Sequence, residues 1–260
     1  MGCSPDPRPQ EAPHRQISAP APGRSWISLR ALAAIGFVVT ITMVASGCGA
    51  GASDSEPTDC GEPCIVALGD SITAGLELPE ESSYPAQLAR ITGVSVWNAG
   101  VSGNKAADVR ARLPGLLDQQ RPRVVVVLVG INDAGLFPPA TSLPDFTTDL
   151  EAIIGTVRSA GATPVLCSLL PIEEDVLMGA GLNRGNWKEY DEAVRTVASS
   201  TGVALVDLSA AVAGRTQLLR DGLHPNAAGS AVIAQAVADV LTAEALVEPV
   251  HKDVSLSGGP

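Results

Sequence analysis

Aromatic side chains are scarce in this chain: three Phe, three Trp and two Tyr, 3% of its 260 residues. A core must therefore be built from Val, Leu, Ile and Ala. Basic residues are also short, with 17 Lys and Arg against 28 Asp and Glu and a formal net charge of −11. That balance does not favour nucleic acid or anionic lipid surfaces as partners. The strongest apolar run, residues 31–46, falls short of the ~20 residues that a membrane span needs. Histidine is scarcer still, three in the whole chain. His14 precedes the apolar run and His251 lies in a polar tail, which leaves His224 as the one histidine within the region patterned to fold.

The chain divides by composition. Residues 1–25 are rich in Pro, Arg and Gln without hydrophobic period and read as disordered. Residues 31–46 follow Arg24 and Arg30, carry no charge and suit a secretory signal. The signal closes on Val44-Ala45-Ser46-Gly47-Cys48, which resembles a bacterial lipobox. That resemblance implies cleavage before Cys48, lipidation of that cysteine, and a lipoprotein on the outer face of the cell membrane; plain secretion is the alternative. Removing residues 1–47 takes away four Arg and two acidic residues and carries the net charge from −11 to −13. Residues 48–63 then form a small-residue linker. Within it Cys60, together with Cys64, suits a short-loop disulfide in an exported protein. Zinc is the competing reading for that pair, but no second Cys or His pair follows. Cys167 lies in an apolar run and reads as a buried free thiol.

From residue 64 to about 247, short apolar runs alternate with segments of helical period, the pattern of repeated βα units on a parallel sheet. Strands are expected at 65–68, 94–98, 124–129, 164–169 and 204–206, and helices at 84–91, 106–119, 145–160, 187–201 and 227–245. Residues 124–129 show no polar alternation, as a central strand covered on both faces requires. Gly93, Gly161 and Gly202 stand where left-handed helix ends are wanted. The result is one three-layer α/β/α domain with a five-stranded parallel sheet, followed by a polar tail, 248–260. Trp97 is expected in the core. Trp187 fits either a substrate rim or a packing position, and packing is the commoner use of such a residue.

Two motifs at opposite ends of the domain carry chemistry. Gly69-Asp70-Ser71-Ile72 closes the first strand and presents a serine where an α/β sheet places reactive groups. Asp221-Gly222-Leu223-His224 supplies a histidine to activate that serine and a carboxylate to hold the ring, the serine needing both to become a nucleophile. The same spacing equally suits a helix start, with Asp221 accepting backbone amides. Oxyanion donors are sought at the other strand ends: the Gly103 amide after the second, and the Asn132 side chain after the third. Either segment alone also reads as an ordinary glycine-rich turn.

Taken together, Ser71, Gly103, Asn132 and His224 resemble the SGNH hydrolases of the GDSL esterase and lipase family, and within it the thioesterase I, lysophospholipase L1 and arylesterase group. The shared stretches are Gly69-Asp70-Ser71-Ile72-Thr73-Ala74-Gly75, Ser83-Tyr84-Pro85, Asn98-Ala99-Gly100-Val101-Ser102-Gly103, Ala111-Arg112-Leu113 and Asp221-Gly222-Leu223-His224-Pro225-Asn226. The resemblance implies a flavodoxin-like fold, Ser71 as nucleophile, His224 as base and Asp221 as its orienting carboxylate. It also implies an oxyanion hole made of the Ser71 and Gly103 amides and the Asn132 side chain, with neither metal nor cofactor. Ile131 and Asn104-Lys105 depart from the family pattern beside the expected substrate site.

The activity so implied is hydrolysis of carboxylic esters, on small acyl esters, lysophospholipids or acyl thioesters; a monomer is expected. A carbohydrate O-acetyl esterase is the nearest alternative. A non-catalytic glycan-binding module is the alternative from another class, and a metallohydrolase drawn from Asp70, Asp133 and His224 has too few ligands.

Overall fold

The computed structural model of the protein describes residues 64–183 and 185–248. The signal, the lipobox-like Cys48, residues 49–63 with Cys60, the Cys64 side chain and nearly all of the 248–260 tail lie outside the described residues.

Five parallel strands form the sheet: β1 (Cys64–Gly69), β2 (Ser95–Gly100), β3 (Val124–Leu128), β4 (Thr163–Cys167) and β5 (Ala204–Val206), in the spatial order β2-β1-β3-β4-β5. All five residues of β3 are buried, because β1 and β4 flank it and helices cover both faces. The order reverses direction after β2. Right-handed crossovers therefore send the helix after β1 to one face of the sheet and the helices after β2, β3 and β4 to the other.

The helices are α1 (Ser71–Ala74), α2 (Tyr84–Thr92), α3 (Ala106–Gln120), α4 (Leu143–Ser159), α5 (Glu174–Gly179), α6 (Trp187–Thr201), α7 (Leu208–Val212) and α8 (Ala227–Ala243). Their packing follows the crossover rule: α2 lies against α8, whereas α3 lies against α4 and α4 against α6. Local signals set the ends. The Ser83 hydroxyl accepts from the Ala86 amide at the start of α2, and Gly93 ends that helix at φ 69°. Asn226 caps α8 by accepting from the Ala228 and Gly229 amides.

The long helices and all five strands fall within a few residues of the sequence expectation. The short helices α1, α5 and α7 were not expected, since a single turn shows no period to read. Trp97 corrects the expectation of a core position: it is 46% exposed. It lies on β2, an edge strand whose outer face no helix fully covers, and sequence alternation alone does not distinguish an edge strand from an inner one.

Register prepares the site. Gly69 is level with Gly100 on one side and with Leu128 on the other, so the chain leaves three adjacent strands at the same height. The approach is tight: a Cβ on Gly100 would stand 2.1 Å from the Ala74 amide nitrogen. Only glycine lets α1 fold down over the end of β2.

Candidate active site

Ser71 is the first residue of α1, placed there by Asp70, whose Oδ1 accepts from the Ile72 amide at 2.9 Å. The Asp70 side chain is wholly buried. Burial pushes its carboxyl up to about 7, the Ile72 amide opposes this, and nearby Asp133 adds to it.

His224 arrives from the connection before α8, 153 residues away, and its Nε2 lies 3.0 Å from Ser71 Oγ. Its other ring nitrogen, Nδ1, lies 2.8 Å from Asp221 Oδ2. Burial works against ionisation of Asp221, but hydrogen bonds from the His224 amide and ring and the Leu223 amide outweigh it and hold the carboxyl down to about 2. A carboxylate can only accept, so Nδ1 carries the proton and Nε2 accepts from the serine hydroxyl. The turn is pinned beneath: the His224 carbonyl accepts from the Arg220 amide at 2.8 Å, and the Leu218 carbonyl from the Asn226 amide at 2.9 Å.

Gly103 turns at φ +81° with open space around it. Asn132 follows β3 on a buried turn, and its Nδ2 donates to the Asn104 carbonyl at 2.9 Å, with Asp70 Oδ2 at 3.4 Å. Four of the residues picked from sequence, Ser71, Gly103, Asn132 and His224, thus line one cavity of about 270 Å³. Asp221 stands behind the histidine. Cys48, the expected lipidation site, lies outside the described residues.

The cavity has walls that sequence reasoning did not assign. Leu76, from the loop after α1, and Phe137, from the loop after β3, supply apolar surface, while Ser102 and Lys105 stand at its polar side. Lys105 had shown itself only as a departure from the family pattern, and Leu76 gave no signal at all. Trp187 does not reach the cavity. It is buried, its Nε1 donating to Glu174 Oε1 at 3.2 Å, which is a packing role.

Asp133 serves the scaffold. Its Oδ2 accepts from the Ala106 amide at the start of α3 and its Oδ1 from the Thr141 hydroxyl, and burial pushes its carboxyl up. With Asp70 turned to the Ile72 amide, Asp70, Asp133 and His224 share no common centre. Among the described residues no three His, Cys, Asp or Glu side chains cluster to hold a metal ion.

Chemically, the arrangement offers a hydroxyl on a base and the base on a carboxylate, with the hydroxyl opening into a cavity that Gly103 and Asn132 also line. Comparison with known proteins gives this geometry a context. The sequence pattern of the GDSL-like lipase/acylhydrolase family matches residues 67–232. An arylesterase of Vibrio mimicus is 37% identical over 112 residues, 40% of this chain and 54% of that protein. The thioesterase 1/protease 1/lysophospholipase L1 of Escherichia coli strain K12 is 36% identical over 109 residues, 40% of this chain and 50% of that protein. The chain thus spans about half the length of these curated relatives. In three dimensions, the crystal structure of the lipase/acylhydrolase from Enterococcus faecalis superposes with a TM-score of 0.62 at 25% identity, covering 72% of this chain and 98% of that one.

Proposed function

The chain belongs to the GDSL-like lipase/acylhydrolase family, and we propose that it is an extracytoplasmic serine esterase that cleaves carboxylic esters through an acyl-enzyme. The observation that carries this reading is the hydrogen-bonded chain from Ser71 through His224 to Asp221, with the serine and the histidine lining the cavity. His224 Nε2 takes the Ser71 proton as Oγ attacks the ester carbonyl, and Asp221 steadies the imidazolium that forms. The Ser71 and Gly103 amides and the Asn132 side chain receive the oxyanion. Collapse expels the alcohol, which leaves with the proton from His224. Water then attacks the acyl-serine with the same histidine as base. The protein's own groups supply every step, so the reaction calls for no metal or cofactor.

Substrate choice follows from the cavity. Its volume of about 270 Å³ lies just under the ~300–1,000 Å³ usual for ligand pockets, and Leu76 and Phe137 make it apolar, which favours short acyl groups over long chains. The acidic balance argues against nucleic acid as partner and against membrane contact other than through a lipid on Cys48. Lipidation at Cys48 and a monomeric enzyme on the outer face of the membrane complete the proposal.

A chain-length series of aryl esters, run on the parent and on Ser71→Ala, tests the chemistry. Hydrolysis strongest on short chains and lost by several orders of magnitude in the variant, with thermal unfolding unchanged, is expected; activity retained in Ser71→Ala overturns it. Release of acetate from acetylated sugars, with no action on other acyl groups, moves the assignment to a carbohydrate O-acetyl esterase. Transfer of the full chain from detergent phase to aqueous phase on Cys48→Ala tests the anchor, and no transfer refutes it.

A further inference from the structure

Arg112 lies on α3, half-buried, away from the cavity lining. Its Nη2 donates to the Gly69 carbonyl at 2.9 Å and to the Ala99 carbonyl at 2.8 Å. Its Nε donates to Asn104 Oδ1 at 2.8 Å. The acceptors are two backbone carbonyls and a side-chain amide oxygen, drawn from three different stretches of chain. Gly69 is the last residue of β1, two before Ser71. Ala99 is the penultimate residue of β2, on the strand that leads to Gly103. Asn104 follows Gly103 directly, and its own carbonyl accepts from Asn132 Nδ2 at 2.9 Å. One guanidinium therefore bonds directly to the segments that carry the nucleophile and Gly103, and stands one further hydrogen bond, through Asn104, from Asn132.

We propose that Arg112 is a positioning residue, a clamp that fixes the distance between Ser71 at the end of β1 and the Gly103 and Asn132 donors. The proposal rests on the esterase reading for its kinetic consequence but not for its geometry. The planar fork of arginine offers donors in fixed directions, which three separate acceptors require; a lysine ammonium at the same place is a single point on a flexible stem. Burial pulls the Arg112 pKa down, with Asp108 opposing, so the cation is held in place of solvation by these acceptors. Its loss would let the strand ends and the loop after β2 drift relative to each other, and a misplacement of about 1 Å is enough to cost about 10²-fold in rate.

The test compares the parent with Arg112→Lys, Arg112→Ala and Asn104→Ala on a short aryl ester, well below the unfolding temperature of each. Expected is a fall in kcat of about 10²-fold in both Arg112 variants and a smaller one in Asn104→Ala, with KM within about threefold, because the clamp acts on the reacting geometry and not on the cavity walls. A purely structural arginine would lower the unfolding temperature and leave kcat alone, and that result overturns the proposal. Should Arg112→Ala fail to fold, the Arg112→Lys and Asn104→Ala variants decide: kcat within twofold of the parent in both refutes the clamp. A second measurement stands apart from turnover. The amide resonances of Gly103 and of the Asn132 side chain are expected to shift in Arg112→Lys, and unchanged resonances count against the clamp. If the parent hydrolyses no ester, the esterase reading fails and the resonances still decide the clamp.

Discussion

One carboxylate holds His224 twice. Asp221 Oδ1 accepts from the His224 backbone amide at 2.7 Å while Oδ2 meets the ring Nδ1 at 2.8 Å. The two bonds separate in Asp221→Asn, since an Asn oxygen still accepts from the backbone but its NH2 cannot accept from Nδ1–H. The fold of the turn is expected to survive and the ring to lose its tautomer. The expected outcome is a fall in kcat on the order of 10⁴-fold, with thermal unfolding close to the parent; a loss below tenfold would remove Asp221 from the mechanism.

Asn132 is the side-chain donor of the proposed oxyanion hole, and removing one such donor typically costs about 10²–10³-fold in kcat. Asn132→Ala is expected in that range, with KM little changed. A rise in KM at constant kcat would instead mark Asn132 as a substrate-binding group, and steady-state kinetics separates the two.

Asp70 makes stability depend on pH in a defined window. Unfolded, it ionises near the usual ~4; folded, burial holds it near 7. Between those values the folded protein keeps a proton that the unfolded chain has released, so raising the pH from 4 to 7 weakens folding. Asp70→Asn keeps an acceptor for the Ile72 amide and removes the titration. Urea midpoints across this range are expected to fall less steeply for the variant than for the parent, and parallel curves would disprove the assignment.

Ser230 Oγ is fully buried in α8 and finds no hydrogen-bond partner among the described residues. An unmet buried polar group costs about 1–3 kcal/mol. Ser230→Ala is therefore expected to stabilise the protein by about 1 kcal/mol, a rise in Tm on the order of 2–4 °C, with kcat unchanged. Calorimetry showing a lower Tm would mean that the hydroxyl has a partner after all.

Much of this molecule was legible because burial and period coincide. Residues 124–128 announce a central strand by having no polar residue at all, and α6 begins and ends where the sequence pattern places it. Trp97 misled because the edge of a sheet is decided by strand order, a long-range property that no local window contains. Ser71 and His224 could be paired by elimination, since the folded region holds one histidine. Whether Asp221 serves the ring or the backbone was undecidable from spacing, and the structure shows why: it serves both, while Asn226 caps α8. Arg112 carried no readable role, because two of its acceptors are backbone carbonyls 43 and 13 residues distant, and every residue type has a carbonyl.

The reacting groups follow the ends of adjacent strands and sit on one pinned turn, whereas Leu76 and Phe137 belong to loops outside the sheet. In the proposed esterase the reacting groups and the apolar walls of the cavity therefore lie on different residues, open to change independently. A library restricted to residues 76–79 and 136–140 would re-cut the cavity while the strand register that aligns Gly69, Gly100 and Leu128 went on inheriting the chemistry unchanged.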